Sequence, residues 1–278
     1  GIEMVYIPTA SFDLGDGDGA TESSFALHVT DNTYLTISTA SVANVTVDSN
    51  TSDDIDTSPI SIDGDGGITG NASFPTGYTA FYLMKYEVTE GQWVDFFNTL
   101  TSAQKTTRDI TGSTGKNTDA VVNRNTVAWT SGDATTTRAD RACSHLSYLD
   151  GCAYFDWAAL RPATELEYEK AARGDQPAVT RELAWGSSSI ASVVSISGTE
   201  NGTETITTSG ANCVYGNGTF IGGDASSGPL RAGILATSTS TRTSSGSGYY
   251  GNMELSGNLY EAPITLGVSK GRIFAGTY

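Results

Sequence analysis

From Asp175 to Tyr278 the sequence carries no helical periodicity; segments rich in Gly, Ser, Thr and Asn connect only short β-prone runs. That much aperiodic backbone has to satisfy its peptide groups through turns, side chains and a small set of fixed anchors. The expected class is therefore α+β, with few helices, short strands and much irregular loop.

The anchors are legible upstream. Tyr82 to Val88 reads as a strand, after which Thr89 and Gln92 form a capping box. Trp93, Phe96, Phe97 and Leu100 then recur at i, i+3, i+4 and i+7, one apolar stripe of a packing helix. Ser147 with Asp150 predicts a second helix through Ala153, Phe155 and Trp157. Thr164 with Glu167 predicts a third, closed by Arg173 and a C′ glycine, Gly174. Glu165, Glu167 and Glu169 are expected on a mostly solvated face of that helix, with Glu167 turned back into its box. Met4 to Leu14 alternates apolar and polar residues and reads as a strand pair about a Pro8–Ala10 turn. Between Gly15 and Pro75 the composition shifts to Ser, Thr, Asp and Gly, with β-prone runs at Tyr34–Ser38 and Val42–Val47. Its β-branched content is too high for a flexible spacer, so residues 16–76 read as a β-rich insertion in a single domain spanning 1–278.

Charge narrows the function. Fifteen Lys+Arg against 31 Asp+Glu give a formal net charge of −16, which repels phosphate backbones and anionic lipid. Nucleic-acid binding and membrane insertion are not expected, and no apolar run approaches the ~18 residues of a span. The first residues, Gly1–Met4, carry no basic, apolar leader. Hydrophobic residues at 38%, with 13 Tyr, 9 Phe and 4 Trp, suffice for a sizeable core.

The residues that most often carry chemistry do not converge in sequence. His28 and His145 are far apart, and no Gly-x-Ser-x-Gly turn is present. Cys143, Cys152 and Cys213 are too few for a disulfide framework; Cys143 could pair with Cys152, or all three are buried free thiols. The runs Gly15–Gly19 and Asp63–Gly67 fit Asp-Gly turns better than phosphate cradles or twelve-residue calcium loops. No carboxylate pair is assigned to acid–base work, and no catalytic residue is expected. Sequons stand at Asn44, Asn50, Asn71, Asn201 and Asn217.

Several segments nevertheless resemble one family, in its order. They are Val5–Pro8 with Phe12 and Gly15, Tyr86–Thr89 leading into Trp93 and Phe96, and Ala153-Tyr154 with Trp157. Leu160–Gly174, Ala184-Trp185-Gly186 and Gly257-Asn258-Leu259-Tyr260-Glu261 complete the set. Together they resemble the formylglycine-generating-enzyme (sulfatase-modifying-factor) branch of the C-type lectin fold. On that resemblance Arg161, Thr164, Glu165, Glu167, Gly257, Asn258 and Glu261 are scaffold residues, with Asn258 and Glu261 bonding loop amides. It also implies a calcium set of Glu254 and Glu261 by side chain and Gly257 and Leu259 by carbonyl, although no cofactor is required. Glu254 stands where family enzymes often carry Asn or Asp. Family oxidases bind copper through a cysteine pair after the Gly-Asn-x-aromatic-Glu motif, and no cysteine follows Cys213 here.

A finer resemblance, through Gly228–Gly233, Gly248–Gly251, Met253–Asn258 and Gly271–Phe274, is to the variable proteins of diversity-generating retroelements. It implies a fixed frame that binds a protein or glycan on a target surface through a diversified C-terminal face, at an extracellular, virion or cell surface. Thr277 and Tyr278 are the candidate ligand residues, with most of the face expected beyond Tyr278. The competing expectations are an oxidase of the same branch and an invariant structural virion or surface protein.

Overall fold

The computed structural model describes residues 1–15, 34–40, 46–48, 61–63, 71, 73–216, 218–266 and 268–277. The runs 16–19 and 64–67, and the sequons at Asn44, Asn50 and Asn217, lie outside these residues. Within them the chain is α+β, with few helices, short strands and long loops.

Strand β1 (Met4–Ile7) pairs antiparallel with β6 (Phe81–Met84), Ile7 opposite Phe81. Period-2 alternation puts Ile7, Val5, Phe81 and Leu83 on the core side. Tyr6 and Tyr82 stack on the other face, ring centroids 5.3 Å apart. Strand β2 (Phe12–Leu14) pairs antiparallel with β3 (Leu35–Ile37). The predicted β1–β2 hairpin is therefore wrong. After Pro8 the chain runs on beside residues 78–80, Ala10 N–H donating to the Tyr78 carbonyl at 3.2 Å and Ala80 N–H to Thr9 Oγ1 at 2.9 Å. Two distant strands thus take the partners a hairpin would have used. The run at 34–38 does form a strand, and its Ile37 is buried with Phe12, Leu14, Phe74, Leu166 and Leu266. Strands β4 (Thr46–Asp48) and β5 (Ser61–Asp63) pair in parallel, and β7 (Ile196–Ser197) pairs antiparallel with β8 (Thr205–Ile206).

Helices α1 (Glu90–Asn98), α3 (Tyr148–Trp157) and α4 (Glu165–Arg173) begin at Thr89, Ser147 and Thr164, each with a reciprocal capping box. Trp93, Phe96 and Phe97 of α1 meet Tyr154 of α3, the Phe96 and Tyr154 rings edge-to-face at 5.9 Å. Three short helices escaped the sequence: α2 (Ser102–Thr107), α5 (Arg242–Ser245) and α6 (Ser269–Arg272). The last two correct the expectation of no helix after Gly174. Four to six residues are too few for an apolar period to register, so α2 and α5 are marked only by their boxes, Thr101/Gln104 and Thr241/Ser244.

The expected solvated face of α4 is the larger correction. Glu165, Glu167, Glu169, Lys170 and Arg173 are all buried. Each charge reaches a loop that lacks a ladder partner. Glu165 accepts the Leu266 N–H, and Glu169 accepts the Gly15 N–H at 2.6 Å. Lys170 Nζ donates to the carbonyls of Pro8 (2.7 Å), Gly77 (2.5 Å) and Tyr78 (3.1 Å). Arg173 bridges Glu169 and Glu182, both at 2.5 Å. Glu167 receives the Arg161 fork, Nη1 at 2.7 Å and Nη2 at 2.5 Å, while its Oε2 also accepts the Thr164 N–H at 3.0 Å.

A second buried network sits under the 200–231 loops. Arg124 and Arg141 share the Glu200 carboxylate, and Arg138 forks onto Asp224 with two bonds of 2.7 Å. The Arg138 bonds, helped by Arg141, hold the Asp224 carboxyl well below the usual range against the opposing effect of burial. Burial alone would raise Glu200, but Arg124, the Asp224 N–H and Arg141 outweigh it and bring it below its ordinary value.

Two predictions follow from these anchors. Glu167→Ala removes the box partner and the carboxylate that receives the Arg161 fork, so urea unfolding should show a loss of about 2–4 kcal/mol, larger than for Glu167→Gln. Loss within 0.5 kcal/mol of wild type would contradict the anchor role. For the second network, a depressed carboxyl stabilises the fold above its unfolded pKa near 3.8 and ceases to as pH falls through the lower folded value. Thermal melts from pH 7 to pH 3 should therefore decline less steeply below pH 4 in Asp224→Asn than in wild type; identical slopes would refute the pairing.

Candidate functional site

Among the described residues an open groove of about 900 Å³ is present. One wall is the β1–β6 pair and the strand exit Tyr86–Val88; the second is Cys143–Tyr148 with α3; the third is Met253–Pro263. Gly276 and Thr277 also line it. Three tyrosines on its lining stand out into solvent, Tyr82, Tyr148 and Tyr260, the last fully exposed. Such a rim offers flat apolar area with hydroxyls at the edge, suited to recognition.

Two thiols, Cys143 and Cys152, and the imidazole of His145 line the groove. Burial pushes the Cys143 thiol well up, with the nearby Glu90 carboxylate adding to the effect. Thiolate is the reactive form, so a raised thiol is a quiet one. Burial, helped by the neighbouring Cys152 thiol, lifts the pKa of the Tyr148 hydroxyl to about 12. His145 sits at φ 65° and is lowered by burial, then by Lys116. All three cysteines are free, so the expected alternative of a Cys143–Cys152 bond is not realised.

The floor of the third wall is acidic. The Met253–Glu261 segment is bent by left-handed residues at Glu254 (φ 55°), Gly257 (φ 108°) and Asn258 (φ 65°). A Cβ at Gly257 would fall 2.6 Å from the Val214 carbonyl oxygen, so glycine is required there. Asn258 is pinned from both sides, its N–H donating to Val214 O and its Oδ1 accepting the Leu230 N–H, each at 2.8 Å. These bends gather three carboxylates. Glu254 is buried and accepts the Gly233 N–H through Oε1 at 2.7 Å, while its Oε2 has no partner. Burial raises it to about 7. Glu261 is exposed as a residue, but its carboxyl is crowded by protein, which pushes it to about 8. The Tyr168 hydroxyl lies in reach of that carboxyl and of the Leu255 carbonyl. Glu87 is also raised well above the usual carboxylate range, first by burial and then by Glu254 and Glu261.

Among the described residues no three His, Cys, Asp or Glu side chains converge at metal-binding distance. The donor set expected for calcium is different: two carboxylates and two carbonyls. It fits the structure on two counts. Glu254 Oε2 is an unclaimed buried acceptor, and no hydrogen bond among the described residues ends on the Gly257 or Leu259 carbonyl.

The chain matches the model of the sulfatase-modifying factor enzyme 1-like domain over residues 70–262. It belongs to that family. No curated protein matches the sequence. The sulfatase-modifying-factor match spans α1, α3, α4 and the Gly257–Glu261 motif, which carry most of the resemblance in sequence; Val5–Pro8, Phe12 and Gly15 lie before it.

Of the scaffold residues named from sequence, Arg161, Thr164 and Glu167 meet at the start of α4, where Thr164 Oγ1 also donates to the Pro75 carbonyl at 2.8 Å. Glu165 turns away to Leu266. Asn258 bonds the Leu230 amide; the Glu261 carboxyl is held by its own backbone N–H and by the Tyr168 hydroxyl. Thr277 lies on the groove, and Tyr278 is outside the described residues. Glu87 was missed as a site residue. Its one signal was a carboxylate at the exit of a strand, flanked by Tyr86 and Val88.

Gly257→Ala should cost several kcal/mol in denaturant unfolding, since φ and the Val214 carbonyl both oppose it. Gly251→Ala, left-handed at φ 95° but facing open space, should cost only about 1–2 kcal/mol. Equal losses would show that the Val214 contact is not limiting.

Proposed function

We propose that this sulfatase-modifying-factor family member recognises a ligand in the groove without transforming it, on a frame of the C-type lectin type. The observation that carries the reading is the open, tyrosine-rimmed groove of about 900 Å³, whose buried thiol Cys143 is held in its unreactive form. Complementarity then supplies affinity: the frame is ordered beforehand, and side chains on one face choose the partner. A protein or glycan on a target surface suits the exposed rings, which pack against apolar side chains or sugar faces alike. The net charge of −16 disfavours nucleic acid. An extracellular, virion or cell-surface setting accords with that charge and with the sequons.

Diversification of the C-terminal face by a retroelement is the finer part of the proposal. It is supported by the likeness of Gly228–Gly233, Met253–Asn258 and Gly271–Phe274 to such variable proteins, and by the position of Thr277 on the groove. Calcium is proposed as the stiffening ion of the third wall, held by Glu254 and Glu261 with the Gly257 and Leu259 carbonyls.

Sequencing the 3′ end of the gene across a natural population should reveal substitutions clustered at adenine positions over an unchanging frame. An invariant end would remove diversification and favour a structural surface protein. Copper binding with turnover of a cysteine-containing peptide would move the chain to the oxidases. In melting experiments 1 mM Ca²⁺ should raise Tm by a few degrees over EDTA, and Glu254→Gln should abolish the increment. No increment in wild type would exclude calcium.

A further inference from the structure

Glu87 belongs to neither capping box nor ion pair, yet both its oxygens are taken. Oε2 accepts the Asn258 Nδ2 at 2.5 Å, and Oε1 accepts the Leu259 N–H at 2.9 Å. The two donors flank one peptide unit, the link from Asn258 to Leu259. The carboxylate fixes the plane of this unit, the Asn258 N–H on the Val214 carbonyl fixes the plane of the unit before it, and Asn258 is thereby set on both sides of its Cα, with one carbonyl leading into the clamped unit and one following it.

Those are the carbonyls of Gly257 and Leu259, the two that no described hydrogen bond claims. The Asn258 side chain cannot rotate to escape the clamp, because its Oδ1 is held by the Leu230 N–H at 2.8 Å. Glu87 itself is fixed from behind: Cys143 N–H donates to the Val88 carbonyl at 2.8 Å, and Thr89 caps α1. The strand exit of one wall therefore sets the backbone of another.

We propose that Glu87 is a positioning residue for a cation on the third wall: together with Val214 it holds the backbone at Asn258, from which the Gly257 and Leu259 carbonyls would be offered to an ion shared with Glu254 and Glu261. The inference rests on the calcium reading above. It extends that reading to a residue that donates no oxygen to the ion, and it ties the ion's site to the groove wall that Glu87 lines. Outer partners of this kind govern ligand direction, and their loss commonly costs 10–100-fold in metal affinity.

The test is a charge-conserving swap, read by calorimetric titration with Ca²⁺ and by Ca²⁺-dependent Tm. Glu87→Gln sets an amide N–H against the Asn258 N–H and should weaken Ca²⁺ at least tenfold. Adding Asn258→Asp restores an acceptor for that amide and keeps one for the Leu230 N–H, with the net charge of wild type. The double variant should bind within about threefold of wild type. Unchanged affinity in Glu87→Gln, or no recovery in the double variant, would overturn the clamp while leaving the ion itself established. Absence of Ca²⁺ binding in wild type would overturn both. If Glu87→Gln does not fold, the comparison of wild type with the double variant, alongside Asn258→Asp alone, decides. Asn258→Asp alone opposes two carboxylates and should be weak, and the added Glu87→Gln should repair it.

Discussion

The buried charges of α4 are what the rest of this structure depends on. In a nine-residue helix, Glu165, Glu167, Glu169, Lys170 and Arg173 are all withdrawn from water. Burying charges is costly unless every one is paired, and replacing such pairs by apolar side chains is often neutral or favourable. Their value here is geometric. An apolar contact cannot select a backbone N–H or carbonyl, whereas these carboxylates and the ammonium do. They reach Gly15, Leu266, Pro8, Gly77 and Tyr78, residues up to 162 apart in sequence from their partners. With named strands that pair only in twos, side chains take over the task that long ladders perform in other folds.

The same device recurs at the groove. Glu87, Glu254 and Asn258 hold loop amides of Leu259, Gly233 and Leu230, and left-handed residues bend the chain to present them. The Arg124–Arg141–Glu200–Asp224 network does so for the 200–231 loops. The groove thus has hydrogen-bonded backbone in its walls and exposed rings, Tyr82, Tyr148 and Tyr260, along its lining.

Legibility in the sequence followed chemistry. The boxes at Thr89, Ser147 and Thr164 were readable because a short polar side chain and its partner three residues on form a local signal. The Trp93–Phe97 stripe was readable because α1 is long enough for a period. What escaped was non-local. Nothing near Met4–Leu14 says that β1 pairs with residues about 77 positions away, and the three acidic residues of α4 look solvated until their distant amides are known. At the site, Gly257 and Asn258 were legible as conformational requirements. Glu87 was not, since its two partners lie about 170 residues downstream.

Native-state hydrogen exchange tests the dependence on α4 most directly. If the buried charges lock the loops to the helix, the amides of Gly15, Thr164 and Leu266 should exchange only through the same large opening that releases the α4 amides. Their opening free energies should then coincide across a denaturant series. Exchange of the Gly15 and Leu266 amides by small local openings, with α4 still protected, would contradict the account.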